Sequence, residues 1–149
     1  MLGGAGSIEV EGTPEDCYAL VVQLGRYPEW QSQVKRATVL EEDDQGRPLV
    51  VETQSDARVR VIRYVLRYTH EPPHRMSWTY VDGDVKDATG HYLFEDLGDG
   101  RTKATYSLEV DPGRRLGLLL RGPLADKVRT YILQTTLEEL KKTVEAGGI

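Results

Sequence analysis

Apolar and polar residues first alternate over Ser7–Glu11, the mark of a short strand. Thr13-Pro14-Glu15-Asp16 then opens a helix, with a hydroxyl to cap it, proline at the first helical position and acids at the positive end. Cys17, Leu20, Val21 and Leu24 recur at helical spacing, Gly25 closes that run, and Arg26–Trp30 predicts a second short helix. From about Lys35 the period becomes two. Strands are predicted over Arg36–Glu42, Leu49–Ser55, Val59–His70, Arg75–Val81, Asp87–Asp96 and Arg101–Val110. The breaks between them carry turn chemistry: Asp43-Asp44-Gln45-Gly46, Asp56-Ala57, Pro72-Pro73, Asp82-Gly83-Asp84 and Gly98-Asp99-Gly100. Pro112-Gly113 turns the chain into a long helical run, roughly Leu116–Val144, with Leu133, Leu137, Leu140 and Val144 on one seam.

Hairpin succession makes the sheet antiparallel, and helices segregated to the ends make the fold α+β. Residues 7–149 read as one domain and residues 1–6 as a flexible lead-in. The terminal seam needs a sheet face to cover it, so the strands are expected to curl around that helix.

Alternation assigns an inward side to each long strand. It collects Ile62, Tyr64, Leu66 and Tyr68 from one strand, Trp78 and Tyr80 from the next, then Tyr92 and Phe94, then Tyr106 and Leu108. Aromatic residues dominate this set, and most of them are tyrosines. A core built only for packing favours Leu, Ile, Val and Phe, because every buried phenol needs a hydrogen-bond partner. Apolar walls with a few polar tips are what ligand cavities present. A solid core whose hydroxyls reach one another or the rim is the competing reading, and both stay open at this point.

The helix offers a second clue. Stepping back from Leu137 and Leu133 reaches Arg129, with Asp126 three residues before it, while Leu124, Val128 and Tyr131 fall on roughly the opposite side. Either the helix bends near Gly122-Pro123 or its first half is buried on two sides. A straight helix would aim Leu133 and Arg129 at the cavity, Arg129 as a polar handle for a carbonyl, phenolate or carboxylate. A rotated one would leave both charges in water.

Composition narrows the function classes. Net charge is −5 over 149 residues, which argues against a nucleic-acid surface. No apolar run is long enough to span a membrane, and the N-terminal residues lack the pattern of a secretory signal, so a cytoplasmic location is expected. The single cysteine, Cys17, sits on the apolar helix face and reads as core. His70, His74 and His91 have no cysteine or carboxylate cluster to make a metal site with, and the acids around Gly83 fail the calcium-loop spacing. No glycine-rich phosphate loop or nucleophile elbow is present in the sequence, so no metal or cofactor is expected.

Four pieces of the chain resemble a known family: TPEDCYALVVQLGRYPEW, RMSWTYVDG, YLFEDLGDGRTKATYSLEVDP and LEELKKTVEA. Together they are similar to the START-like, Bet v 1-like helix-grip superfamily (SRPBCC), in its polyketide cyclase/dehydrase and coenzyme-Q-binding branch. The resemblance implies a curved seven-stranded antiparallel sheet around a long C-terminal helix, two short helices after the first strand, and an internal cavity for hydrophobic molecules. Aromatase/cyclase members carry a serine and an arginine on the inward face of the fourth strand, where this chain has Leu66 and Tyr68. They carry a tyrosine after the second helix, where it has Val34.

Two functions follow as expectations. The first is binding of a planar or isoprenoid hydrophobic molecule (a polyketide, quinone or lipid) by a monomer or homodimer, with no nucleic-acid partner. The alternative is a polyketide aromatase/cyclase in which Tyr64, Tyr68 and Arg129 orient and polarise the carbonyls of a poly-β-ketone. A protein-binding module ranks below both, since the outward strand faces carry many charges.

Overall fold

The turns marked by glycine, aspartate or proline between strands join neighbours in the sheet. The computed structural model describes residues 2–58, 60–119 and 122–149. Its elements are β1 (Leu2–Glu11), α1 (Pro14–Val21), a 3₁₀ turn (Leu24–Glu29), β2 (Val34–Glu42), β3 (Pro48–Asp56), β4 (Val61–Glu71), β5 (Arg75–Gly83), β6 (Asp87–Gly98), β7 (Arg101–Asp111), α2 (Gly113–Leu119) and α3 (Pro123–Glu145). The strands form one seven-stranded antiparallel sheet in the order β1-β7-β6-β5-β4-β3-β2. Val59, which alternation places at the head of the fourth strand, lies outside the described residues, as do Met1 and residues 120–121.

The expected flexible lead-in is corrected for residues 2–6. They are strand, and Leu2 through Gly6 pair with Val110 through Tyr106 of β7. The glycines there conceal the alternation, because they present no side chain to alternate. Their use is a close approach. A Cβ placed on Gly4 would stand 3.3 Å from Leu133 Cδ1, one on Gly6 3.2 Å from Leu137 Cδ1, and one on Gly12 2.7 Å from Val144 Cγ1. Bare backbone thus forms a smooth strip on which the seam of α3 lies, and α3 runs closest to β1 and β7. With the helix held at that edge, the concave face of the sheet beyond it is left uncovered.

The predicted long terminal helix is two helices. Gly122 takes φ +56° and Pro123 starts α3, so α3 begins as a new helix and not as a continuation of α2. On α3 two stripes are buried, not one. Leu133, Leu137 and Val144 follow β1, while Val128, Ile132 and Thr136 form a neighbouring stripe one residue earlier in register.

At the other end of the concave face α1 closes the core. Thr13 Oγ1 accepts from the Asp16 amide at 3.1 Å and Asp16 Oδ2 accepts from the Thr13 amide at 3.0 Å, a complete capping box. Cys17 is fully buried, and burial pushes its thiol up to about 11, so it remains a protonated packing residue. His70 is half-buried. One ring nitrogen lies 2.7 Å from Tyr18 Oη and the other 2.6 Å from the Pro48 carbonyl, so it pins α1 to β3 across the end of β4.

Candidate functional site

Between α3 and the concave face of the sheet, from β3 across to β7, lies a hollow with about 120 Å³ open to the centres of water-sized molecules. By that measure one water needs roughly 10–15 Å³, so this is a cavity and not a packing defect. The solid-core reading is therefore set aside.

Eight of the twelve positions expected at the site line this space: Ile62, Tyr64, Leu66, Tyr68, Trp78, Tyr92, Tyr106 and Leu108. The register explains their convergence, since Tyr68 pairs with Trp78, Trp78 with Gly90, and Tyr92 with Tyr106. Gly90 is what lets the indole lie flat on the sheet, because a Cβ there would stand 2.6 Å from Trp78 Cζ2 and 2.4 Å from the Ser107 carbonyl. The rings touch in a chain, with centroids 6.0 Å apart for Tyr68–Trp78, 5.8 Å for Trp78–Tyr106 and 5.0 Å for Tyr92–Tyr106.

Four expected positions stand elsewhere. Phe94 is fully buried beneath α1, stacked on Tyr92 at 5.8 Å and edge-on to Tyr18 at 6.5 Å. Tyr80 borders an irregularity in the β4–β5 pairing, and its hydroxyl donates to the Val85 carbonyl at 2.7 Å, bracing the rim instead of facing the space. Leu133 lies on Gly4 of β1. Arg129 packs its stem on the same glycine, its head pairs with Asp126 at 3.3 Å, and its side chain is 42% exposed. The seam that carries Leu133 and Arg129 follows β1, and therefore points away from the hollow.

Other lining residues come from segments with no aromatic signal. Gln31 and Gln33 precede β2, Thr53 and Ser55 lie on β3, and Ile132 comes from the second stripe of α3. Gln31 Nε2 donates to Tyr92 Oη at 3.0 Å, Ser55 Oγ and Tyr64 Oη are 2.7 Å apart, and Gln33 Nε2 donates to Thr136 Oγ1 at 2.9 Å. The Tyr68 hydroxyl makes no hydrogen bond to a described residue. Alternation could have found Thr53 and Ser55, both buried on the same face as Val51. Nothing short of the folded chain marked the two glutamines. At the mouth, Asp56 and Ala57 line the rim, and the Arg58 guanidinium sits 4.5 Å over the Tyr131 ring of α3, clasping the β3–β4 turn to the helix.

The chemistry available is hydrogen bonding by neutral groups. Burial above all holds Tyr27, Tyr64, Tyr68, Tyr92 and Tyr106 above the ordinary phenol value of 10.0, with the neighbouring phenols adding to the effect in all but Tyr64. These hydroxyls can polarise a carbonyl or accept from a hydroxyl, but they do not work as phenolate bases near neutrality. Among the described residues lining the hollow, Asp56 at the rim is the sole carboxylate and no histidine contributes. No group of three potential metal ligands converges among the described residues.

A pH dependence follows from these phenols. Their folded values lie above their unfolded ones, so their contribution is complete below about pH 10 and is lost as pH rises past 10 toward the folded values. Each phenol that ionises only on unfolding steepens the fall by about 1.4 kcal/mol per pH unit. Denaturant midpoints are expected to fall steeply above about pH 10, and phenolate absorbance to appear together with unfolding. Full ionisation of all eight tyrosines in the still-folded chain would contradict this account.

Residues 3–145 match the family model described as polyketide cyclase / dehydrase and lipid transport. The chain belongs to this family. Its fold is that of a START superfamily protein from Mycobacterium smegmatis, with a TM-score of 0.84 at 18% identity over 97% of both chains. A protein of Thermus thermophilus matches with a TM-score of 0.84 at 19% identity over 99% of both. The Zhui aromatase/cyclase from a Streptomyces species superposes with a TM-score of 0.73 at 15% identity, over 99% of this chain and 98% of that one. No curated protein matches the sequence significantly. Among the described residues no helix is long and apolar enough to cross a membrane.

Proposed function

We propose that this member of the family binds a hydrophobic, planar or isoprenoid small molecule, such as a polyketide, quinone or lipid, in the hollow between the sheet and α3. The observation that carries this reading is the wall of touching rings formed by Tyr68, Trp78, Tyr92 and Tyr106, which offers flat apolar area with hydroxyls at its edges. Trp78 is one of only two tryptophans, and Trp30 lies outside the lining, so indole fluorescence reports on the site. Titration with a naphthoquinone, a hydroxylated naphthalene and a long-chain fatty acid is expected to give saturable quenching by at least one. Trp78→Phe should remove most of that signal. A flat response to the whole panel contradicts the reading.

The family description and the likeness to an aromatase/cyclase favour a second reading, polyketide cyclisation. Here Tyr64 and Tyr68 would hold and polarise carbonyls while the walls fold the chain. Arg129, outside the hollow, takes no part in it. The test is the product distribution of a poly-β-ketone with and without the protein, and an unchanged distribution and rate removes this reading.

A further inference from the structure

Polar groups are spread unevenly over the lining. Its β2–β4 side carries Gln31, Gln33, Thr53 and Ser55 with the phenols Tyr64 and Tyr68, beside apolar Ile62 and Leu66, whereas the facing side is Trp78 and aliphatic residues with only the Tyr92 and Tyr106 hydroxyls among them. Within the polar side Gln33 is singular. Its backbone is fixed where β2 begins, its carbonyl accepting from the Asp56 amide at 2.7 Å. Its side chain is only 7% exposed and spans to Thr136 of α3, itself 1% exposed, where Nε2 donates at 2.9 Å. The other end of the amide, Oε1, is buried with no partner among the described residues. An amide oxygen left so is costly and uncommon in a folded interior.

Turning the amide over does not remove the deficit. Thr136 Oγ1 can donate as well as accept, so it satisfies whichever amide atom faces it, and the other atom stays unmatched. A ligand hydroxyl, which also both donates and accepts, fits either orientation. A bare hydrocarbon fits neither.

From this we infer that Gln33, with Thr136 behind it and the free Tyr68 hydroxyl on the same wall, forms a polar subsite for a hydroxyl on the edge of an otherwise apolar ring ligand. The inference rests on the reading that the hollow binds a small molecule, and it selects within that reading a phenol-bearing aromatic over an isoprenoid or acyl chain. The ring lies on Trp78 and the aliphatic side, and its hydroxylated edge turns toward β2 and β3.

The test compares 2-naphthol with naphthalene on the intact chain and on Gln33→Met, which keeps the length of the side chain and removes the amide. The intact chain is expected to prefer 2-naphthol by roughly tenfold or more, the order expected when a buried polar group gains or lacks its partner. Gln33→Met should lose that preference, its affinity for 2-naphthol falling to about that for naphthalene. In the unmodified protein the Gln33 side-chain amide resonances should shift with 2-naphthol and stay put with naphthalene, a readout that needs no variant. Equal affinity for the two probes, or the same loss for both in Gln33→Met, overturns the subsite while leaving the cavity reading intact. Binding of neither probe to the intact chain overturns both.

Discussion

Phe94→Ala is expected to destabilise the fold by about 3–5 kcal/mol, the range for removing a buried phenyl ring. Phe94 is fully buried, stacked on Tyr92 and met edge-on by Tyr18 of α1. Alanine would leave a space between helix and sheet that Tyr92 cannot fill, since its hydroxyl is held by Gln31. For a chain of this size the loss corresponds to a fall in Tm of roughly 10 °C. Calorimetry of the purified variant checks it. A change below about 1 kcal/mol would mean that α1 does not close the sheet as described.

The second large effect is on binding. Thr53→Phe places a ring in the hollow at the centre of β3, where the native hydroxyl makes no hydrogen bond to a described residue. Ligand affinity is expected to fall by about 100-fold, because the ring takes the space a planar ligand needs. Stability should change by less than about 1.5 kcal/mol, since the added volume enters open space and not a close-packed region. Paired measurements of unfolding and of fluorescence titration separate the two effects. Full affinity in a folded Thr53→Phe would place the ligand elsewhere.

The sequence was most legible where side chains alternate. Tyr64, Leu66 and Tyr68 could be assigned to one face of β4 because charged Arg63 and Arg67 occupy the other, and they line the hollow. The hairpins were legible because Asp43–Gly46 and Gly98–Gly100 carry turn chemistry that tolerates little else. The glycine-rich start of β1 was not, because its meaning lies in Leu133 and Leu137, which reach it from more than a hundred residues away. Arg129 was misplaced for a related reason. Spacing identifies a stripe on a helix but not the neighbour that covers it, and the first stripe of α3 belongs to β1. The second stripe, through Val128, Ile132 and Thr136, ends on a polar residue and is too short to stand out. Gln31 and Gln33 acquire meaning only from Tyr92 and Thr136, partners with no sequence proximity.

The chain has four isoleucines, and their positions make them a built-in control: Ile62 and Ile132 line the hollow, Ile8 packs at the core from β1, and Ile149 is 40% exposed at the chain end. The most direct measurement is a titration of isoleucine-methyl-labelled protein with 2-naphthol, followed by heteronuclear NMR. The account predicts saturable shifts at the Ile62 and Ile132 methyls with Ile8 and Ile149 unmoved. Unmoved Ile62 and Ile132 methyls at saturating ligand, or shifts confined to Ile8 or Ile149, would contradict it.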